Sequence, residues 1–157
     1  MSDRETCVAK LTELLGTISV SNGFALNLGS PVSRELFTLE SLSNSEFDTL
    51  IVEDNGDGGN EVIDMLSSDE AHVSFAVPVI GYVRKRDSDP SVTTAVNRLD
   101  QALKQVVGEL ANRRIAGVWV HIQALPMIGR SGSENGELGW FIRPIEINYD
   151  SQVSAGM

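Results

Sequence analysis

The stretch AHVSFAVPVIGYVRKR, residues 71–86, decides how this chain folds. Val73, Phe75, Val77 and Val79 alternate with other residues, so an extended backbone puts all four on one face. No other segment offers so long a strand. Two residues qualify the reading. Pro78 lacks a backbone donor and Gly81 lacks a side chain, which together predict an edge position, a bulge or a bend at mid-strand.

Downstream, residues 87–114 read as the best helix of the chain, with Asp89 placed to cap it and Pro90 suited to its first turn. Val92, Ala95, Val96, Leu99, Ala102, Leu103, Val106, Val107 and Leu110 make a broad apolar face. Arg113 and Arg114 stand near its C-terminal end, where positive charge is favourable. Residues 117–129 alternate through Val118, Val120 and Ile122, and residues 138–150 make a second strand. The two form a hairpin whose tip, RSGSENGE at 130–137, is long and polar.

Upstream, residues 4–18 carry Val8, Leu11, Leu15 and Ile18 at spacings of three and four, one stripe of a helix, with Leu14 beside it. Ser2 and Glu5 are placed for a capping box. After an Asn22-Gly23 turn, Phe24, Leu26 and Leu28 alternate as in a strand. Residues 30–46 show no clear element. FDTLIVE, residues 47–53, is a strand by its β-branched content.

The expected fold class is α+β: a mixed, largely antiparallel sheet packed against an N-terminal helix and a long second helix. Residues 1–150 read as a single domain and 151–157 as a flexible tail. Two helices cannot cover both faces of a large sheet, so one face is exposed or meets a neighbour.

Composition narrows the function classes. The 157 residues are 41% hydrophobic, ordinary for a soluble domain. No run approaches the roughly 20 apolar residues of a membrane helix. The charged start MSDRETC does not read as a secretory signal. Cys7 is the single cysteine, so an internal disulfide is out. The net charge of -10 argues against free-standing nucleic-acid binding. That charge is unevenly spread. Residues 35–70 hold 11 acids and no lysine or arginine, which predicts a strongly negative face or rim.

Few residues suit chemistry. Val52–Asp64, VEDNGDGGNEVID, aligns in part with a calcium loop starting at Glu53: Asn55 and Asp57 fall at ligand positions, Gly58 at the turn and Asp64 at the end. Glutamate stands where aspartate is usual and aspartate where a bidentate glutamate is usual, and a strand precedes the loop rather than a helix. The plainer reading is an acidic surface loop. His72 and His121 are isolated, Cys7 has no histidine partner by pattern, and NLGSP lacks a phosphate loop's lysine and spacing. Arg84, Lys85 and Arg86 end the long strand, either solvated or meeting acids of another subunit. Trp119 falls opposite Val118 and Val120 in the alternation. With Trp140, Phe141 and Tyr149 it belongs to the core or to an interface.

The order of these elements resembles a known family. The N-terminal amphipathic helix, the strand VSFAVPVIGYVRKR, the helix LDQALKQVVGEL and the final strand–open loop–strand are similar to the tail terminator proteins of long-tailed bacteriophages, over Thr6 to Asp150. The resemblance implies a mixed sheet with packed helices and assembly into a six-fold ring on the last ring of the tail tube. It implies a structural role: stopping tube growth and meeting the head connector, with no catalysis, no cofactor, no metal and no membrane. DNA passes through the channel of such a ring without specific binding. The expected location is the head-proximal end of the virion tail, after assembly in the host cytoplasm. On that reading Arg84, Lys85, Arg86 and Trp119 lie at the intersubunit contact. Glu53, Asp54, Asp57 and Glu61 line the lumen or rim. The open loop Arg130–Gly139, with Arg130, Glu134 and Glu137, orders against tube or connector. The alternatives are another head-tail connector or neck protein, or a calcium-dependent binding module using residues 53–64. The acidic loop at 54–61 and the unassigned stretch 31–46 depart from the family's texture.

Overall fold

The structure is a computed structural model that describes residues 2–54, 61–131 and 136–152. Its elements run α1 (Arg4–Leu15), β1 (Thr49–Val52), β2 (Val62–Met65), β3 (Glu70–Arg84), α2 (Val92–Gly108), α3 (Leu110–Arg113), β4 (His121–Ala124), β5 (Gly129–Ser131) and β6 (Leu138–Gln152). This is the expected α+β architecture, with every pairing between named strands antiparallel and one parallel bridge, Ser33 to Ile51.

β3 and β6 pair along their whole length, from Glu70 opposite Gln152 to Arg84 opposite Leu138. Each carries two short strands on its outer side: β1 and β2 on β3, β4 and β5 on β6. The long strand is therefore central, which corrects the edge position predicted from Pro78. The reason is local. Pro78 lies opposite Pro144. Neither can donate, so this pair sits where the shared ladder makes no bond, and each nitrogen faces outward. Both outward sides fall at breaks in the flanking strands: β1 stops opposite Val79 and β2 resumes at Ser74, while β4 stops opposite Ile145 and β5 resumes at Ile142. The outward carbonyls are used, Glu53 N–H donating to Pro78 and Leu125 N–H to Pro144. Gly81 is explained by packing: a Cβ there would lie 2.2 Å from the ring of Phe141, its cross-strand partner, so the ring covers the bare backbone.

The helices pack on one face. Val73, Phe75, Val77, Val79 and Val83 of β3 and Phe141, Ile145, Ile147 and Tyr149 of β6 are buried beneath Cys7, Val8, Leu11 and Leu15 of α1 and the apolar face of α2. α1 is capped by Asp3, whose carboxylate accepts from Thr6 N–H at 2.7 Å, not by the Ser2–Glu5 box predicted. α2 begins after Ser91. Asp89 lies outside it, accepting from Arg86 N–H and from the guanidinium of Arg98. The predicted helix also breaks. Glu109 is extended, with ψ 136°, and the chain re-enters as α3 with Leu110 turned into solvent at 81% exposure. The expected strand at 24–28 does not form. Phe24 and Leu26 are buried, but no backbone pairs with them as a strand. Residues 30–46 contribute two 3₁₀ turns, Leu39–Ser41 and Asn44–Glu46. β6 runs through Gln152, past the boundary drawn at 150. Residues 153–157 lie outside the described residues.

Candidate functional site

The face of the sheet away from the helices differs between its two ends. At the β1 end, Tyr82 and Trp140 are a cross-strand pair, followed by Ile80 with Ile142 and Pro78 with Pro144. Phe37 meets Tyr82 edge-on, ring centres 5.7 Å apart, and the Tyr82 hydroxyl donates to Phe37 O at 2.7 Å. The 30–46 segment thus covers this corner. It also closes the β1 edge: Ser33 N–H donates to Leu50 O, and Ser33 O accepts from Val52 N–H. At the other end the pairs are polar, Ser74 with Asn148 and His72 with Asp150, the latter joined at 2.9 Å through Nδ1.

β2 lies on the edge of this second end and is exposed at all four positions. Val62, Ile63, Met65 and Leu66 stand 55–61% exposed, so four of five successive side chains are large, apolar and in water. A turn closed by Leu66 and Ser67 N–H to Glu70 O joins β2 to β3. Beside that turn a cavity of about 590 Å³ is lined by Leu66, Glu70, Arg114, Val118, Trp119 and Asp150, among others. Nothing in the predicted pattern pointed to β2. Its β-branched pair Val62-Ile63 was the available signal, masked by the acids around it.

The predicted site residues do not converge. Arg84 pairs with Glu137 at 3.4 Å, and Lys85 donates its N–H to Glu137 O. Arg86 is exposed. These bases therefore stand near Glu137 at the β1 end of the sheet. Trp119 is 2% exposed, and its Nε1 donates to Asn112 O at 2.8 Å. Its ring is a core group of this chain, which corrects its placement on an outer contact. The alternation failed there because 115–119 forms a tight turn closed by an Ile115–Trp119 bridge, and β4 starts only at His121.

Of the acids, Asp54 is bound by Arg4 at 2.8 Å with Arg34 at 3.9 Å, while the Arg4 guanidinium rests 4.5 Å over Phe75. Asp54 thereby anchors α1 to the exit of β1. Glu53 donates its N–H to Pro78. Glu61 accepts from the Tyr149 hydroxyl at 3.4 Å. Burial, with Glu61 beside it, pushes that phenol up to about 12. Asp57 and Glu134 lie outside the described residues, as do Asn55 and Gly58 of the calcium alignment. Arg130 reaches Asn97 of α2 at 3.3 Å. The open loop is shorter than 130–139, since Arg130 and Ser131 belong to β5 and Leu138 and Gly139 to β6.

Residues suited to chemistry are apart. Cys7 is buried, its thiol pushed up by burial and donating to Val118 O at 3.2 Å. Among the described residues no group of three or more His, Cys, Asp or Glu could hold a metal ion, and no helix is long and apolar enough to cross a membrane. A buried bidentate pair is structural. Arg143 of β6 grips Asp100 of α2 at 2.6 and 2.9 Å and donates to Leu125 O, tying helix to sheet. No protein-family model matches the chain, and no curated protein matches it.

Proposed function

We propose that this protein is a structural assembly subunit that works by contact, capping the head-proximal end of a phage tail tube as a ring and presenting a surface to the head connector. The observation that carries the reading is β2: a strand with all four residues exposed, holding Val62, Ile63 and Met65 in water. Exposed apolar surface gathered on a strand edge marks a place where another chain docks. The architecture supports it, since the helices lie on one face and, among the described residues, leave the β2 end of the other face uncovered. The resemblance in element order supplies the particular assembly. Arg84, Lys85 and Arg86 remain available to tube or connector at the far end of β3. They begin at Arg84 on β3, while β2 pairs no further along that strand than Ser74, a separation of roughly 33 Å.

The test is electron microscopy of purified tail tubes grown with and without the chain. Capped tubes of limited length, with added density at one end, are expected. Tubes that elongate equally with bare ends would remove the reading. Density at the connector without any arrest of growth would favour another neck protein.

A further inference from the structure

A strand in an antiparallel sheet turns its backbone groups to either side in turn, and the phase of β2 fixes which residues look outward. Leu66 N–H donates to Glu70 O, and bonded pairs recur at every second residue of such a ladder. Asp64 opposite His72 and Val62 opposite Ser74 are therefore the next bonded pairs. Pro78 gives the same phase from β3. Its carbonyl turns to this flank to accept from Glu53 N–H, and Ser74 and His72 lie an even number of residues before it. The N–H and C=O of Ile63 and Met65 consequently point away from β3. Among the described residues no strand pairs with that side.

The side chains of this edge are sorted by face. Ile63 and Met65 stand opposite Val73 and Ala71, which are buried in the core on the helix face, yet they are themselves 56% and 55% exposed. Val62 and Asp64 lie on the open face. There Asp64 has His72 beside it and Asp150 beyond, and Glu70 shares the face of His72. Asp64, Glu70 and Asp150 are all exposed, and residues 53–70 contain no lysine or arginine. One face of the edge is thus apolar and the other, Val62 apart, acidic.

This pattern selects an occupant. Nucleic acid and an anionic membrane surface are repelled by the acids. A second copy brings no matching edge. Two β2 strands set against each other bring like charges together. The basic segment forms the opposite flank, with three arginines, one histidine and no acid from Leu110 to Ser131. But β4 shares a single row with β2, the row of Val62, Ser74, Asn148 and His121, so a copy alongside at the same level sets β2 against the 115–119 turn.

We infer that the outer edge of β2 receives an extended strand of another protein, one that alternates apolar and basic residues. Its backbone bonds to Ile63 and Met65, its apolar side chains cover theirs on the helix side, and a base meets Asp64 on the open side. Backbone bonding supplies affinity, and the alternation of apolar and basic residues supplies the choice of partner. The inference rests on the reading of β2 as a docking strand and names what docks.

Fluorescence anisotropy with short labelled peptides tests it. One peptide alternates lysine with valine and isoleucine, a second holds the same residues in two blocks, and a third carries glutamate in place of lysine. The alternating basic peptide is expected to bind, more weakly as salt rises. Met65→Pro removes an outward N–H, which an edge strand tolerates, and is expected to weaken binding about tenfold, well beyond the loss from Met65→Ala. Asp64→Lys weakens the basic peptide and strengthens the acidic one. Thermal melting confirms that each variant folds. Equal binding of the alternating and block peptides overturns the proposal, since charge alone then accounts for it, and so does binding that Met65→Pro leaves untouched. Oligomers of the free chain that vanish with Met65→Pro, seen by native mass spectrometry, overturn it in favour of a second copy. Tail tubes that stay uncapped while the peptide results hold sink the assembly reading and support this inference. Capped tubes with no peptide binding do the reverse.

Discussion

β1 and β2 are both four-residue strands, both rich in large apolar residues, and both paired with the same side of β3. Thr49, Leu50, Ile51 and Val52 are fully buried, whereas Val62, Ile63, Asp64 and Met65 are all exposed. The difference is not in strand propensity, which favours each. β1 lies between two covers: Leu50 and Val52 belong to the core cluster with the helices, while Ile51 bridges to Ser33 of the 30–46 segment. β2 hangs from the end of β3 beyond both covers. A side chain's burial is thus set by what the rest of the chain brings over it, and an apolar strand can be left in water where nothing is brought.

The sharpest challenge to that contrast is truncation at both sites. Leu50→Ala removes a fully buried side chain and is expected to cost about 3 kcal/mol. Ile63→Ala, measured by the same denaturant titration, costs under about 0.5 kcal/mol. Equal losses would mean that β2 is packed in the free chain, and the comparison would collapse. Next in size is the hinge of the cover. A Cβ on Gly29 would lie 1.9 Å from the carbonyl oxygen of Phe47, and Gly29 N–H donates to Asp48 O at 2.8 Å. Backbone cannot yield there as a side chain would, so Gly29→Ala should cost about 2 kcal/mol. It should also raise hydrogen exchange in β1 while leaving β2 unchanged.

A smaller effect is expected at the outer end of the cover. Tyr82→Phe deletes the bond to Phe37 O and is expected to lower stability by about 1 kcal/mol, read by chemical denaturation. The smallest is a pH effect at Asp48, just before β1 and 7% exposed. Burial raises its carboxyl above the ordinary value, against the opposing bond from Arg84 N–H. The folded state therefore holds the proton at pH values where the unfolded chain has lost it. Stability from this group falls as pH rises from the ordinary carboxylate range through the raised folded value, and stays lower above it. Asp48→Asn should be more stable than wild type at neutral pH, and the gap should close below the ordinary carboxylate range. A gap that persists in acid would assign the effect to something other than ionisation.

Much of the frame was legible in the residues, and the misses share a cause. Val73–Val79, the α2 face and the final strand pair carry long periodic patterns, and long patterns specify both element and face. Pro78 misled because its permission to sit mid-sheet depends on Pro144 and on breaks in two other strands, none of which is local to it. Asp89 was read as the cap of α2 and Leu110 as part of its apolar face, although the helix is entered from Ser91 and broken at Glu109. Trp119 was placed on the wrong side because a five-residue turn shifted the phase of the alternation before β4. The candidate surface was hardest of all, since exposure of β2 is a statement about what does not lie over it.

By itself, then, the sequence determined which segments are helix and strand, which faces of β3 and α2 are apolar, and that acids and bases are segregated along the chain. Periodicity and charge are properties of neighbours in sequence, so they can be read there. The tertiary structure alone decided that the acidic and basic segments form opposite edges of one sheet, that β1 is covered and β2 bare, and that Val62 and His121 share a row. Those are relations between residues far apart in the chain, and they come into being only when β3 and β6 pair and carry their flanking strands to either side.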